Sequence, residues 1–343
     1  MKIDLTHRQS AHCESGTIAN LLRFHGITLS EPMIFGLGSG LFFTYLPFIK
    51  VNGAPAISFR TYPGGIVKRL MRQLGISLKF KKFRDPENAM QALDRSLEKG
   101  VLTGLVTGVF HLPYFPQEYR FHFNAHHILV FGKENGNYLV SDPVMQKTET
   151  IAAKDLRKAR FAKGPLSPNG KMYTITECYK GFDLKELIVK AIRKTCREML
   201  FTPLPICGVR GIRLLAKKVR KWPAKLEPAM ARLYLGQIIR MSEEIGTGGA
   251  GFRFIYAAFL QESAQILGYD WLRDMSIKMT DVGDKWREFA YLAAKNFKRN
   301  RKIEAGSYDV LSDRLLKIAD REKDIYHQLR AYLKTEPIAA FTS

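Results

Sequence analysis

The chain has 343 residues, is 46% hydrophobic and 25% charged, and carries a formal net charge of +22 at pH 7. This length accommodates two domains with a sizeable core, and the composition is that of an ordinary globular protein. Neither a signal peptide nor a membrane-spanning helix is expected, because the first residues lack an apolar run and no stretch of about 20 apolar residues occurs. The four cysteines show no CxxC spacing, which favours free thiols in a reducing cytoplasm.

The first predicted element is a helix that begins close to Cys13. Ile18 and Leu21 fall on one helical face, Gly26 is a typical stop signal, and Ser10 is the expected N-cap residue. Cys13 then lies in the first turn, where unpaired backbone N–H groups and the positive end of the helix dipole stabilise a thiolate. This position is typical of an activated nucleophile, although a cysteine near a helix start is more often a small buried apolar residue.

Predicted strands and helices alternate after this helix. Residues 28–62, rich in glycine and aromatic residues, are expected to form loops and short strands around the site. Periodicity then predicts helices at 63–74, 86–100 and 152–158, and strands at 76–83, 101–109, 124–132, 138–141 and 172–177. The loop 110–123 is loaded with aromatic residues and is expected either to line an acyl pocket or to cover the core. Beyond a linker near 178–184 the pattern is wholly helical, which predicts an α+β domain at 1–180 and an all-α domain at 181–343.

Two neighbouring predicted strands supply a histidine and an aspartate. His126 opens the first strand, a short turn follows it, and Asp142 comes directly after the second strand. Together with a cysteine on a helix N-terminus, these residues match the roles of nucleophile, base and orienting group. A metal site is not expected, because no well-spaced carboxylate or cysteine completes a ligand set with His126 and His127.

The register of this segment resembles that of papain-like cysteine enzymes, including the bacteriocin-leader peptidases. His126 precedes Gly132 by six residues and Asp142 by sixteen, which selects His126 over His127, since neighbours on a strand point to opposite faces. More of the chain, across residues 8–280, resembles the butirosin-biosynthesis acyltransferase family and the helical domain of unknown function that often follows it. The resembling pieces are His12-Cys13-Glu14-Ser15, Leu29-Ser30-Glu31 and the segments 35–43, 126–142 and 244–260.

The resemblance implies a papain-like N-terminal domain with a central nucleophile helix and an antiparallel sheet. It also implies transfer of an acyl group from a carrier-protein or coenzyme A thioester, through acyl-Cys13, to an amine, in specialised-metabolite or lipid biosynthesis. No bound cofactor is expected, and a phosphopantetheine-linked acyl donor is implied. Two alternatives stay open: a C39-like peptidase or amidase that uses the same triad for hydrolysis, and a basic binding protein without catalysis.

The oxyanion donors are less closely specified. Papain-like peptidases commonly place a glutamine six residues before the cysteine; here His7 occupies that position, while Gln9 lies four residues before Cys13. The backbone N–H of Cys13 is expected to supply one donor. Whether His7, Gln9 or His12 supplies the second stays open.

A glycine-rich run in the second half, from Glu244 to Arg253, lies between predicted helices. It either forms a turn or brings backbone N–H groups to a phosphopantetheine or substrate anion. Glu244, Arg253 and Gly248 are therefore predicted to bind substrate, with Glu244 and Arg253 flanking the run and pairing with each other. An amine acceptor needs a nearby carboxylate, for which Glu243 or Glu244 is the hypothesis.

The positive charge is concentrated at residues 185–225 and 295–302. Such a field speeds encounter with acidic partners, which favours an acidic acyl carrier protein and an amine-bearing small molecule as partners. An anionic membrane surface fits the charge as well, because basic and apolar residues alternate along 187–200. A cytoplasmic location is expected, with a peripheral position at the inner membrane surface as the alternative. No zinc finger, RNP motif or DNA-binding helix pair occurs, so a specific nucleic-acid partner is not expected.

Overall fold

The computed structural model describes residues 1–178, 181–298 and 305–335. Within these ranges the helices are, in chain order, α1 (Cys13–Phe24), α2 (Glu31–Leu37), α3 (Gly65–Leu74), α4 (Pro86–Glu98), α5 (Ala153–Arg160), α6 (Leu184–Phe201), α7 (Gly208–Lys225), α8 (Pro228–Ile239), α9 (Arg253–Leu267), α10 (Asp270–Lys298) and α11 (Ala305–Thr335). The strands are β1 (Leu41–Val51), β2 (Ala54–Arg60), β3 (Ser77–Lys81), β4 (Thr103–Thr107), β5 (His126–Glu134), β6 (Asn137–Ser141), β7 (Glu149–Ala152) and β8 (Met172–Glu177).

The first compact unit comprises Met1–Ile34 and Ile66–Phe182. Its sheet has the strand order β3-β8-β4-β5-β6-β7, and every neighbouring pair is antiparallel. The helix α1 packs on β5, where the Thr17 hydroxyl donates a hydrogen bond of 3.0 Å to the carbonyl of His127. Apart from Phe24 at the end of α1, the apolar residues of α1, β4 and β5 are almost fully buried, as a central helix against a central strand pair requires. The sheet thus fixes the position of the α1 N-terminus.

The second compact unit comprises Phe35–Gly65 and Asp183–Ser343. Its hairpin β1–β2 turns at Asn52 and Gly53, which both have positive φ values, as a two-residue turn matched to the twist of the strands requires. Phe59 lies edge-on to both Phe43 and Trp286, with ring centroids 5.3 Å and 5.1 Å apart. This aromatic cluster joins the hairpin to α10 in a single core.

The predicted α+β class, with an antiparallel sheet and a helical C-terminal region, is confirmed. Most predicted helices and strands occur, with ends shifted by a few residues. The division into units differs from the expected contiguous domains 1–180 and 181–343, because residues 35–65 group with the C-terminal helices. These residues were expected to form loops and short strands; they form the hairpin β1–β2, whose aromatic side chains complete the core of the second unit.

Two predicted segments lie partly outside the described residues: positions 179–180 of the linker and positions 299–302 of the second basic cluster. Among the helices of the described ranges, none combines the length and apolarity that crossing a bilayer demands.

Candidate active site

Cys13 is the first residue of α1, and its side chain is buried, with 7% of its surface exposed. His12, and not the expected Ser10, is the N-cap: its Nδ1 accepts a hydrogen bond from the backbone N–H of Ser15 at 3.4 Å and lies 2.9 Å from the Ser15 hydroxyl. An imidazole nitrogen replaces the usual hydroxyl or carboxylate oxygen at this cap. The cap places Cys13 closer to the helix terminus than the sequence prediction did.

Glu31 supports the same helix terminus from the start of α2. Its carboxylate accepts hydrogen bonds from the backbone N–H groups of Ala11 at 2.9 Å and His12 at 2.7 Å, and from the Ser15 hydroxyl at 3.2 Å. Burial raises the pKa of Glu31, and these three hydrogen bonds oppose that rise. The Leu29-Ser30-Glu31 step therefore holds the chain that leads into Cys13.

His126 and Asp142 lie at the same end of the neighbouring antiparallel strands β5 and β6. The Nε2–H of His126 donates to Oδ2 of Asp142 at 2.6 Å, and both side chains are almost completely buried. The other face of the strand holds His127, whose Nδ1 lies 3.0 Å from the Tyr173 hydroxyl. The alternation of the strand thus separates two adjacent histidines into different environments.

Cys13 interacts with His126 closely enough to influence its pKa. Since Nε2 of His126 is bonded to Asp142, Nδ1 is the ring nitrogen left for the sulfur. Burial disfavours the imidazolium, but the charges of Asp142 and Cys13 and the hydrogen bonds to both outweigh it and raise the pKa of His126 to about 10. At neutral pH the proton therefore resides on His126, next to Cys13.

The loop 110–123 supplies two aromatic contacts to this group. The Tyr114 hydroxyl donates to Oδ2 of Asp142 at 2.9 Å, and the ring of Phe115 lies edge-on to His126 at 5.5 Å. Burial, followed by the charge of Asp142, raises the pKa of Tyr114 well above its ordinary value, so the hydroxyl remains a donor. The backbone N–H of Val144 donates to the other carboxylate oxygen at 3.2 Å. The sequence marked this loop as aromatic but did not identify Tyr114.

Two of the three candidate oxyanion side chains, His7 and Gln9, differ in their surroundings. Both ring nitrogens of His7 are engaged: Nδ1 lies 2.8 Å from the Ser141 hydroxyl and Nε2 lies 3.0 Å from the Met145 carbonyl. His7 therefore braces the end of β6, which differs from its predicted role. Gln9 is exposed and stays a predicted donor, as does the backbone N–H of Cys13.

The predicted substrate-binding run of the second unit has a buried core. Arg253 has no exposed surface, and its guanidinium forms a paired contact with the carboxylate of Glu322 at 3.0 Å and 3.1 Å. Trp286 Nε1 and the Tyr326 hydroxyl donate to the same carboxylate at 2.9 Å and 3.2 Å. The expected pair between Glu244 and Arg253 is therefore wrong, and Arg253 stabilises the unit instead of contacting a substrate.

The glycines of this run serve that buried network. Gly251 has a φ of +56°, and a Cβ there would lie 2.2 Å from the ring of Phe59, so only glycine fits. Glu243 accepts a hydrogen bond from the backbone N–H of Ala250 at 3.1 Å. Glu244 and Gly248 are exposed and stay predicted substrate-binding positions.

Comparison with known proteins gives matches to two families over most of the chain. Residues 12–143 match the N-terminal domain of butirosin biosynthesis protein H, and residues 154–329 match a domain of unknown function, DUF4872. No curated protein matches the sequence. Among solved structures, a C39-like peptidase from Bacillus anthracis is similar with 12% identity and a TM-score of 0.37, covering 52% of this chain and 100% of its own.

Proposed function

This chain belongs to the family in which the N-terminal domain of butirosin biosynthesis protein H is joined to the DUF4872 domain, and we propose that it is a cysteine-dependent N-acyltransferase. The observation that carries the proposal is the buried group of Cys13, His126 and Asp142, in which the histidine holds a proton next to the sulfur. That arrangement supports a cysteine enzyme. The acyl donor, a carrier-protein or coenzyme A thioester, and the amine acceptor are the finer parts of the proposal.

In the first half-reaction the Cys13 thiolate attacks the carbonyl carbon of the donor thioester. The tetrahedral intermediate then expels the donor sulfur, and the imidazolium of His126 gives its proton to that leaving thiolate. The products are acyl-Cys13, a free donor thiol and a neutral His126. Exchange of one thioester for another is nearly thermoneutral, so a cysteine nucleophile suits a thioester donor.

In the second half-reaction a neutral amine attacks acyl-Cys13, and His126 accepts the proton that the amine loses. Acylation removes the charge of Cys13, which is one of the causes of the high His126 pKa. The imidazole therefore becomes easier to deprotonate when a base is needed. Collapse of the intermediate forms the amide and releases the Cys13 thiolate, which restores the starting pair.

An acidic acyl carrier protein remains the proposed donor partner, and one surface of the second unit suits it. Lys190, Arg193, Lys194 and Arg197 share one face of α6, and together with Arg330 and Lys334 of α11 they line a cavity of about 350 Å³. Among the charges of the described residues, Glu186 pairs with Lys190 and Glu198 pairs with Lys194, so the surface keeps a large excess of positive charge. An acidic protein surface is attracted to such a field at long range.

Intact-mass spectrometry after incubation with acyl thioesters of a carrier protein, coenzyme A and N-acetylcysteamine tests the proposal. We expect one acyl group on the wild-type protein and none on Cys13→Ala. Cys178→Ala is the matched control, because Cys178 is also a free thiol and should not change loading. The adduct should be discharged faster by amines than by water. Absence of an adduct from every donor would refute acyl transfer through Cys13.

The peptidase or amidase alternative uses the same three side chains and makes a different prediction. It requires hydrolysis of an amide substrate and no faster turnover when an amine is added. A protein that hydrolyses peptides and discharges acyl-Cys13 equally with or without amine would favour that alternative.

A further inference from the structure

A cavity of about 520 Å³ lies in the first unit, the unit that contains Cys13. It is large enough for a small ligand group. Its polar lining is basic and comes from the ends of the loop 110–123 and from the end of α5 and the residues that follow. The polar residues of this lining, here called the His111 cavity, are His111, His122, Arg157, Lys158 and Lys163.

The loop that lines the His111 cavity is the loop that contacts the catalytic group. Its ends are tied together by a hydrogen bond of 2.9 Å from the Val109 N–H to the Phe123 carbonyl, while Tyr114 nearer its middle bonds to Asp142. His111 is only three residues from Tyr114, so their Cα atoms lie within about 11 Å of each other.

The part of the lining that contains Lys163 is also fixed next to β5, the strand that begins with His126. The side-chain nitrogen of Asn124 donates to the carbonyls of Lys163 at 3.1 Å and Pro165 at 3.0 Å. Asn124 lies two residues before His126, the first residue of β5. Both of these lining segments are therefore anchored to parts of the chain that carry or contact the proposed catalytic side chains.

The charges that face this cavity are mainly positive. Arg157 lies 3.7 Å from Glu87, and both side chains are more than half exposed, so this pair is weak. Burial and the nearby His122 and Lys158 lower the pKa of His111, with Asp155 opposing them. The ring of His122 is held by stacking on Phe110 with centroids 4.3 Å apart. A further positive charge in this cavity, such as a protonated His111, is therefore unfavourable unless an anion is bound there.

We propose that the His111 cavity binds the phosphate of a phosphopantetheine-linked acyl donor. Arginine and lysine side chains are the usual ligands of phosphate oxygens, and the two imidazoles add hydrogen-bond donors. The inference rests on the proposed function, which requires a thioester donor, and it adds where the donor's phosphate is recognised. A phosphate held here places the pantetheine arm in the same unit as Cys13.

Two small donors with the same acyl group, S-acyl pantetheine and S-acyl phosphopantetheine, differ only by the phosphate and therefore isolate its contribution. For the wild-type protein we expect the rate of Cys13 loading, expressed as kcat/KM, to be about tenfold higher with the phosphorylated donor. In Lys158→Glu the ratio of kcat/KM for the phosphorylated donor to kcat/KM for the unphosphorylated donor should fall to near one. Lys154→Glu is the matched control, because Lys154 is exposed on the same helix one turn away, does not line the cavity, and changes the net charge equally.

Lys163→Glu provides a second test at another lining residue, and melting temperatures identify a variant that fails to fold. A ratio near one in the wild type, or the same ratio in Lys158→Glu and Lys154→Glu, would overturn the phosphate site while acyl loading stands. If neither donor loads the wild type, the proposed function fails, and calorimetry with phosphopantetheine and pantetheine then decides the site. The phosphate site is supported if phosphopantetheine binds more tightly than pantetheine and Lys158→Glu removes this difference. Equal binding of the two compounds to the wild type refutes the site.

Discussion

The Tyr114 hydroxyl and the His126 imidazole donate to the same oxygen of Asp142, at 2.9 Å and 2.6 Å. An oxygen that accepts two hydrogen bonds in a buried site is held in one orientation, so Tyr114 fixes the carboxylate that in turn orients His126. The loop 110–123 is thus part of the proposed catalytic group, although it contributes no side chain that would react.

Tyr114→Phe tests this relationship, because it removes one hydroxyl and keeps the ring. A hydrogen bond to a charged group contributes about 1.5–3 kcal/mol, so we expect kcat/KM for loading to fall by about tenfold. The carboxylate would then interact more strongly with His126, and the His126 pKa should move upward in an NMR titration. An unchanged rate and an unchanged pKa would show that Tyr114 only fills space. Tyr119→Phe, exposed in the same loop, is the control.

The high pKa of His126 predicts the alkaline limit of its ion pair with Asp142. Because the folded pKa is raised from 6.5 to about 10, the stabilisation from this group is fully present below about pH 6.5 and is lost as the pH rises through about 10. Loading should decline over the same alkaline range. In Asp142→Asn both the titration of His126, followed by NMR, and the decline in rate should move to lower pH. A titration that does not move would contradict the assigned pair.

The close approach of α1 to the segment after β6 predicts a strong effect at Gly16. A Cβ at this position would lie 2.7 Å from the Cβ of Pro143 and 2.5 Å from that of Ser10, which forces one of them to shift. Pro143 follows Asp142 directly, so the shift moves the carboxylate relative to Cys13. We expect Gly16→Ala to cost about 1–3 kcal/mol in unfolding free energy and to lower loading by more than tenfold.

Gly100→Ala supplies a comparison, since a Cβ there meets no atom within 4 Å although its φ is positive. It should lower stability without a comparable loss of loading per folded molecule. Equal loading by Gly16→Ala and the wild type would show that the distance between α1 and Pro143 does not limit catalysis.

The buried pair of Arg253 and Glu322 predicts a stability effect in the second unit. Removing one partner leaves the other charge buried, so Arg253→Ala should lower the unfolding free energy by about 3–5 kcal/mol. Arg287→Ala, at a more than half-exposed side chain 3.9 Å from Glu243, should change it far less. Urea denaturation measures both. If Arg253→Ala were as stable as the wild type and had a raised KM for the amine, the predicted contact between Arg253 and the substrate would be supported instead.

The cationic face of α6 and α11 predicts a salt-dependent preference for a carrier protein over a small donor. Arg197→Glu should reduce the ratio of kcat/KM for acyl carrier protein to that for acyl-N-acetylcysteamine by about tenfold, and added salt should reduce it further. Lys217→Glu makes the same charge change on an exposed position of α7 outside that cavity and should leave the ratio unaltered. Equal ratios in both variants would exclude this surface as the docking site.

The sequence by itself determined the local parts of the proposed catalytic group. Short-range periodicity and a hairpin connection are encoded within a few residues. They place Cys13 at a helix start, His126 at the start of one strand and Asp142 directly after the next. The alternation of side chains along a strand is also a local property, and it predicts that His126 and His127 point to opposite faces. The cap of α1 was assigned to Ser10 and not His12, because the choice between nearby polar residues depends on backbone angles that periodicity does not specify.

Only the tertiary structure decided the partners that are distant in sequence. Glu31 on the approach to Cys13, Tyr114 on Asp142 and Glu322 on Arg253 each join segments separated by loops or whole helices. Residues 35–65 entered the second unit because their aromatic side chains are buried against α10, an outcome that composition alone did not reveal. Such pairings depend on which buried polar and apolar groups meet after the chain folds, and a local pattern contains no record of them.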